Sequence, residues 1–204
     1  MNESFFSAPQ LKRDPLGSAR ILVRRSALAA AIRQSAYVRG TFRLRSGKTA
    51  TEYFDKYRFE SDPVLLRAVA EALMPLIPKS TEVLGGLELG GVPLATILSQ
   101  LSNLPVVFVR KQAKEYGTAQ LAEGAEVKGR RLAVIEDVLT TGGQVLESVA
   151  ALRTLGASIG DVICVIDRDA GANEALSVAQ LTLHSLFRYR DLVPGGPTPA
   201  DGAA

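Results

Sequence analysis

The sequence contains a single cysteine, Cys164, and no apolar stretch long enough to cross a membrane. One cysteine excludes an internal disulfide, and such a chain fits a reducing compartment. Residues 1–15 are polar and interrupted by prolines, so we expect no signal peptide there. The longest apolar runs, such as residues 27–32, are far shorter than the roughly 20 residues of a transmembrane helix. We therefore expect a cytoplasmic protein with no membrane partner.

Acidic residues are scarce in the first quarter of the chain. The 204 residues carry a net charge of only +3, but residues 1–50 are strongly basic, with acids only at Glu3 and Asp14. A basic segment indicates an anionic partner, which is a phosphorylated small molecule, a nucleic acid or an acidic face of another subunit. The alternative is a solvated helix face. The overall composition, 47% hydrophobic and 22% charged, is typical of one globular domain with a small attached subdomain.

Apolar strand-like runs alternate with helical segments from residue 61 onward. The predicted strands are 82–86, 105–110, 131–137 and 161–168. One predicted helix has Asp62 as its N-cap and Pro63 as its first residue, and two further helices are predicted at 91–103 and 143–155. Continuous β-branched strands that alternate with helices predict a parallel sheet with helices on both faces, an α/β fold.

Two parts of the chain do not follow this alternation. Residues 1–60 contain a predicted helix at 18–36 and a β-like segment after it, and residues 181–192 contain one more predicted strand. We expect both to form a small hood over one edge of the sheet. The predicted organisation is an arm, helix and hood segment at 1–60, an α/β core with a late hood-side strand at 61–192, and a flexible tail at 193–204.

The strand at 131–137 ends in two acids, Glu136 and Asp137, directly before a loop rich in threonine and glycine. Ligands of open α/β sheets bind at the carboxyl ends of strands, and a glycine loop that opens a helix favours phosphate. This loop lacks both Gly-Lys-Ser/Thr and G-x-G-x-x-G, which excludes the usual nucleoside-triphosphate and dinucleotide motifs. The acids suit sugar hydroxyls, or a divalent cation held through water. A sugar phosphate with a metal-bound pyrophosphate fits both the acidic pair and the glycine loop. The alternative is an acidic N-cap beside an ordinary glycine turn.

The segment VIEDVLTTGGQ, residues 134–144, resembles the phosphoribosyl-pyrophosphate motif of type I phosphoribosyltransferases. Four further segments, in the expected order, resemble orotate phosphoribosyltransferases: residues 42–55, 85–95, 109–117 and 165–171. The resemblance implies a Rossmann-like parallel core with a hood, a homodimer with a mobile loop shared across subunits, and Mg²⁺ as cofactor. It implies the transfer of phosphoribose from phosphoribosyl pyrophosphate to orotate, in pyrimidine synthesis.

The resemblance also assigns residues to roles. Lys111, Lys114 and Asp137 match catalytic positions, and no direct protein ligand to Mg²⁺ is implied, because pyrophosphate and the ribose hydroxyls hold the metal. The phosphoribosyl-pyrophosphate positions are Arg45, Leu89, Gly90, Arg110, Lys111, Lys114, Tyr116, Glu136, Asp137, Val138, Leu139, Thr140, Thr141, Gly142, Gly143 and Gln144. The orotate positions are Tyr53, Phe54, Thr140 and Arg168.

Each assignment has a simpler alternative. Tyr53 and Phe54 are equally typical of core packing, Arg168 of a surface ion pair with a neighbouring aspartate, and the cations at 110–114 of a solvated loop. The chain departs from the common pattern at Tyr116, which stands for a histidine, and at Arg45, which stands for a lysine. At Leu89 and Gly90, where many relatives have a Tyr-Lys pair, only backbone N–H groups are available. His184, the one histidine, lies in a late strand, and we interpret it as structural.

Two other functions remain open at this point. One is a phosphoribosyltransferase for another base, against which residues 42–47 and the segment around Arg168 argue. The other is a non-catalytic regulator that senses phosphoribosyl pyrophosphate and binds nucleic acid through the basic N-terminal segment. Residues 1–60 are short for a separate DNA-binding domain, so we expect small-molecule substrates rather than nucleic acid as partners.

Overall fold

The computed structural model describes residues 25–43, 47, 49–111 and 121–193. The elements in chain order are α1 (Arg25–Ala36), β1 (Tyr37–Arg43), β2 (Thr49–Phe54), α2 (Lys56–Glu60), α3 (Pro63–Leu73), a 3₁₀ turn (Met74–Leu76), β3 (Val83–Leu87), α4 (Gly91–Ser102), β4 (Val106–Val109), β5 (Ala122–Gly124), β6 (Arg131–Leu139), α5 (Gly143–Thr154), β7 (Ser158–Asp167), α6 (Ala172–Val178), β8 (Thr182–Arg188) and α7 (Tyr189–Leu192).

Six strands form the main sheet in the order β5-β4-β3-β6-β7-β8. All neighbouring pairs are parallel except β4 and β5, which are antiparallel. After β3 the chain adds β4 on one side, whereas after β6 it adds β7 on the other. The direction of winding therefore reverses between β3 and β6, and ligands of open α/β sheets bind at such a reversal.

Both faces of the sheet are buried, as the continuous apolar strands predict. Successive residues of a strand point to opposite faces, so Ala133 and Ile135 of β6 join one core cluster while Leu132 and Val134 join the other. The predicted parallel α/β core is confirmed.

The N-terminal segment contributes a separate two-stranded antiparallel sheet, in which β1 pairs with β2. Helix α1, before this hairpin, buries Leu28 and Ile32 in the same core cluster as Ile135. The N-terminal segment thus contains a small antiparallel sheet, and α1 before it packs into the main core.

Helix α3 begins as its sequence predicts. Asp62 precedes Pro63, the first helical residue, and its Oδ1 accepts hydrogen bonds from the N–H groups of Val64 and Leu65 at 2.9 and 3.0 Å. This is an N-cap that satisfies two donors of the first turn.

The last strand differs from the expectation. Residues 182–188 pair in parallel with β7 and form an edge of the main sheet, rather than part of a hood outside it. Helix α6, which the sequence analysis did not identify, supplies the crossover between β7 and β8. With seven residues, α6 is too short to produce a clear helical period. Among the described residues, no helix is both long and apolar enough to span a bilayer.

Candidate active site

The loops that follow β3, β4, β6 and β7 meet at one edge of the sheet, because the carboxyl ends of parallel strands lie together. Glu136 and Asp137 lie near the end of β6, and Leu87 ends the adjacent β3. The two acids therefore occupy the winding reversal, where the sequence predicts the ligand.

The acidic pair is buried. Asp137 has no exposed side-chain surface, and Glu136 is 9% exposed. Lys56 Nζ lies 2.9 Å from Asp137 Oδ2 and donates a hydrogen bond to Oδ1 at 3.2 Å. The N–H group of Val138 also donates to Oδ1, and the N–H group of Asp137 donates to Glu136 Oε1 at 3.3 Å. Oδ1 of Asp137 is thus held by two donors, whereas the buried Oδ2 lies in ionic contact with Lys56 but accepts no hydrogen bond from the described residues.

A third carboxyl group, that of Glu60 on α2, completes the cluster. Burial raises the pKa of Glu60 to about 9, and burial also raises the pKa of Glu136 well above its ordinary value. Burial acts on Asp137 in the same direction, but hydrogen bonds from Glu136 and Glu60 and the charge of Lys56 outweigh it and lower its pKa. Burial therefore favours the protonated form of both glutamates, whereas the adjacent ammonium of Lys56 favours the ionised form of Asp137.

The loop after β3 packs directly on this carboxylate. A Cβ atom at Gly90 would lie 1.6 Å from Asp137 Oδ2, so no other residue fits without displacing the acid. The neighbouring Leu89 is 58% exposed, and the Glu88–Leu89 peptide bond is cis. The backbone of this loop and the acid of β6 thus form one surface.

The loop after β6 leads into a helix N-terminus, as predicted. Gly142 has φ +80°, in the left-handed region that favours glycine, and it precedes α5 without any side-chain cap. The N–H groups of the first turn of α5 are therefore available to an anion. Thr141, Gly143 and Gln144 are exposed, and Thr140 is half-buried.

The two residues before this loop belong to the sheet. β6 continues through Val138 and Leu139, beyond the predicted end at residue 137. Leu139 is buried in the core, and its carbonyl oxygen accepts a hydrogen bond from the N–H group of Arg168 at 2.9 Å. Its side chain is not available to a ligand, whereas Val138 is half-buried.

Arg168 follows β7, one strand over from the acidic pair. It is only 4% exposed, so it is not the surface ion-pair residue of the simpler alternative. Its guanidinium lies 5.2 Å from the centre of the Tyr189 ring, and burial lowers its pKa, against the influence of the phenols of Tyr189 and Tyr53. The exposed ion pairs to Asp169 come instead from Arg188 and Arg190.

The two aromatic residues predicted beside the base have different environments. Phe54 is buried and makes an edge contact with Tyr189, with ring centres 6.0 Å apart. Tyr53 is half-buried and lies against Phe42, with ring centres 5.4 Å apart. Core packing accounts for Phe54, and Tyr53 is the aromatic group with surface left for a ligand.

The described residues on either side of the predicted mobile loop are hydrogen-bonded at the end of β4. The N–H group of Arg110 donates to the carbonyl oxygen of Leu121 at 2.9 Å, and the N–H group of Lys111 donates to Glu88 Oε2 at 3.1 Å. Lys111 therefore lies beside the loop after β3, and Arg110 is paired with Leu121. Lys114, Tyr116 and Arg45 lie outside the described residues.

Sequence reasoning missed Lys56 and Glu60. Their i,i+4 spacing places both on one face of α2, but the same spacing is common on solvated helices, so it was not a specific signal. His184 lies away from the site, with Nε2 2.8 Å from Asp161 Oδ1 near the opposite end of β7.

Residues 61–180 match the model of the phosphoribosyl transferase domain family. The chain is 50% identical over 165 residues to the orotate phosphoribosyltransferase of a Nocardioides species, which covers 81% of this chain and 92% of the relative. This chain belongs to the orotate phosphoribosyltransferase family.

Solved structures agree with this assignment. The Mycobacterium tuberculosis orotate phosphoribosyltransferase in complex with Fe(III) dicitrate matches with a TM-score of 0.74 and 34% identity, over 83% of this chain and 98% of that one. A structure of the same enzyme in complex with phosphoribosyl pyrophosphate matches with a TM-score of 0.71 and 32% identity, over 82% and 98%. The family resemblance stated from the sequence is confirmed.

Proposed function

We propose that this family member is an orotate phosphoribosyltransferase, which transfers 5-phosphoribose from phosphoribosyl pyrophosphate to N1 of orotate and releases pyrophosphate. The product is orotidine 5′-phosphate, an intermediate of pyrimidine synthesis. The observation that carries the proposal is the meeting of three features at one sheet edge: a buried Asp137 paired with Lys56, an uncapped helix N-terminus at Gly143, and the buried side chain of Arg168.

Asp137 and Glu136 face the ribose in this proposal. A sugar hydroxyl donates best to an ionised acceptor, and Asp137 is the group that carries the charge. Residues 138–144 receive the 5′-phosphate, with backbone N–H groups at the start of α5 and the hydroxyls of Thr140 and Thr141 as donors. Gly90 packs against Asp137, and in this proposal the main-chain N–H groups of Leu89 and Gly90 bind the pyrophosphate.

Arg168 binds the orotate carboxylate in this proposal, with Tyr53 and Thr140 around the ring, whereas Phe54 packs in the core. A guanidinium fork matches a planar carboxylate through two parallel hydrogen bonds. A purine or uracil lacks this carboxylate, so it cannot form the two charge-assisted hydrogen bonds that orotate would make with Arg168. Selectivity for orotate follows from that difference.

The catalytic cations of the proposal are Lys111 and Lys114, supported by Arg110, Arg45 and the hydroxyl of Tyr116. Cleavage of the C1–O bond leaves negative charge on pyrophosphate, and cations around it stabilise that charge. The family expectation is a homodimer in which Lys114 reaches the site of the neighbouring subunit. The hydrogen bond from Arg110 to Leu121, at the end of β4, supports a role for the loop cations at this edge of the sheet.

The substitution at ribose C1 proceeds through an oxocarbenium-like state. The N1–H of orotate is already acidic, so no strong protein base is needed. The acids held at Glu136 and Asp137 fix the ribose, the helix N-terminus fixes the phosphate, and Arg168 fixes the base. The chain's contribution is thus orientation, electrostatic stabilisation and closure over the reacting centre.

The family implies Mg²⁺. Among the described residues, no group of three or more histidine, cysteine or acidic side chains is arranged to hold a metal ion. In this proposal the metal is held by pyrophosphate and the ribose hydroxyls, as the family resemblance implies, and Glu136 and Asp137 accept hydrogen bonds from those hydroxyls. When bound, Mg²⁺ neutralises charge on the leaving pyrophosphate.

The deciding experiment mixes purified protein with Mg²⁺, phosphoribosyl pyrophosphate and orotate, and follows the loss of orotate absorbance. We expect turnover of orotate and none of adenine, guanine, xanthine or uracil in parallel reactions. Asp137→Asn should lower the rate by about 10²–10³ because it removes the ionised acceptor. Turnover of another base instead of orotate would overturn the substrate assignment.

We place this activity in the cytoplasm, without a membrane or nucleic-acid partner.

A further inference from the structure

Helix α2 brings two charged residues to the acidic pair. Lys56 and Glu60 are four positions apart and so lie on the same face of the helix. The side chain of Lys56 is 16% exposed, and Glu60 is 8% exposed. Buried charged residues are uncommon unless they are paired, so this arrangement requires an explanation beyond folding.

Contacts with neighbouring elements fix α2 in place. The N–H group of Asp55, the residue before the helix, donates to the carbonyl oxygen of Ala36 at 2.8 Å. Phe59 lies between the two charged residues in sequence and is completely buried in the main core. The helix therefore presents Lys56 and Glu60 to β6 from a fixed position.

Lys56 and Glu60 act on the same carboxylate in different ways. Lys56 supplies a positive charge within 3.2 Å of both oxygens of Asp137. Glu60 is buried on the same helix face, and burial raises its pKa to about 9, so near neutral pH it is protonated and can donate a hydrogen bond toward Asp137, whose Oδ2 accepts none from the described residues. Lys56, in contact with both oxygens, therefore favours an ionised Asp137, even though burial opposes an ionised acid there.

We propose that Lys56 and Glu60 are positioning residues that keep Asp137 ionised and oriented as the acceptor for the ribose hydroxyls of phosphoribosyl pyrophosphate. This inference rests on the proposed function, since it assigns a task to Asp137 in that site. Without Lys56 the buried Asp137 gains a proton, and a protonated carboxyl group is a weaker acceptor for a hydroxyl. Binding of the sugar then weakens, although neither positioning residue need contact the ligand.

The test measures the affinity for phosphoribosyl pyrophosphate with Mg²⁺ by calorimetry. We expect Lys56→Met to weaken binding by about 10- to 100-fold, the value of a hydrogen bond to a charged group. Lys56→Arg should restore most of the affinity, because it retains the charge. Arg58→Met is the matched control: it removes an exposed cation from the same helix and should leave binding unchanged.

A double-mutant cycle separates positioning through Asp137 from a general effect on folding. Because Lys56 acts through Asp137, the Lys56→Met/Asp137→Asn protein should bind no more weakly than Asp137→Asn alone. The pH profile gives a second readout. Lys56→Met should recover affinity as pH rises and Asp137 ionises, whereas the wild type should not depend on this ionisation.

Glu60 provides a test that does not remove the buried charge. Glu60→Gln retains a donor toward Asp137 and should bind nearly as the wild type does, whereas Glu60→Leu removes the donor and should bind several-fold more weakly. Equal affinities for wild type, Lys56→Met and Glu60→Leu, or additive losses in the cycle, would overturn the inference alone. Failure of the wild type to bind phosphoribosyl pyrophosphate would overturn the proposed function and the inference with it.

Discussion

Lys56 lies 2.9 Å from the carboxylate of Asp137, although 81 positions separate the two residues along the chain. One belongs to a short helix beside the N-terminal hairpin, and the other to the central strand pair of the core. The contact therefore links the N-terminal segment to the edge where the sugar phosphate is proposed to bind. A change in either residue should affect both the stability of this segment and the charge of the site.

Stability should depend on pH through Glu60. Its ordinary pKa is 4.5, and burial, the first cause, together with Asp137 raises it to about 9. Between these values the native state holds a proton that the unfolded state has lost, so the free energy of unfolding falls as pH rises. The slope is at most about 1.4 kcal/mol per pH unit for each such group. Glu136 adds a slope of the same sign.

Glu60→Gln should flatten this slope because an amide does not ionise. Urea unfolding at several pH values between about 5 and 9 measures it. Glu147→Gln, at an exposed position of α5, is the control. An unchanged slope in Glu60→Gln would mean that Glu60 is already ionised in the native state.

Gly90→Ala should disable the site. The added Cβ would lie 1.6 Å from Asp137 Oδ2, so either the loop or the acid must move. We expect a loss of about 1–3 kcal/mol in stability, from overpacking, and a large loss of affinity for phosphoribosyl pyrophosphate. Gly160→Ala is the matched control, since a Cβ there meets nothing within 4 Å. If Gly90→Ala bound the ligand normally, the close packing of this loop would have no bearing on binding.

Arg168→Leu should separate the two substrates. We expect the KM for orotate to rise by about 100-fold, because two charge-assisted hydrogen bonds are lost, while calorimetric binding of phosphoribosyl pyrophosphate is retained. Arg168→Lys should recover only part of the loss, since an ammonium cannot form the fork. Arg190→Leu removes an exposed arginine nearby and should leave both constants unchanged. Equal losses for both substrates would contradict a role specific to orotate.

Mixed dimers should reveal whether the loop serves the neighbouring subunit. Lys114→Ala and Asp137→Asn should each be nearly inactive alone. When equal amounts of the two variants are unfolded and refolded together, about half of the dimers contain one subunit of each. If the loop crosses to the neighbouring subunit, each mixed dimer holds one intact site out of two. About a quarter of wild-type activity should then return. If each loop serves its own subunit, mixing should restore no activity.

The regular part of the fold followed from local patterns. The apolar strands at 82–86 and 131–137, the cap at Asp62 and the glycine turn before α5 all depend on residues close in sequence, and the structure agrees with each. The loop at 140–144 was found in the same way, because a helix start and its phosphate-binding donors come from one short stretch. Short elements such as α6 and β5 gave too few residues for a period to be recognised.

The sequence by itself determined the chemistry: two acids before a glycine loop, an arginine after a late strand, and an alternation that forms a parallel sheet. Only the tertiary structure decided which of these groups carries charge. Burial penalises every ionised carboxyl group alike, so the protonation of Glu60, Glu136 and Asp137 depends on which one has a cation within reach. That cation, Lys56, is distant in sequence and is brought to Asp137 only by the packing of α2 against the core.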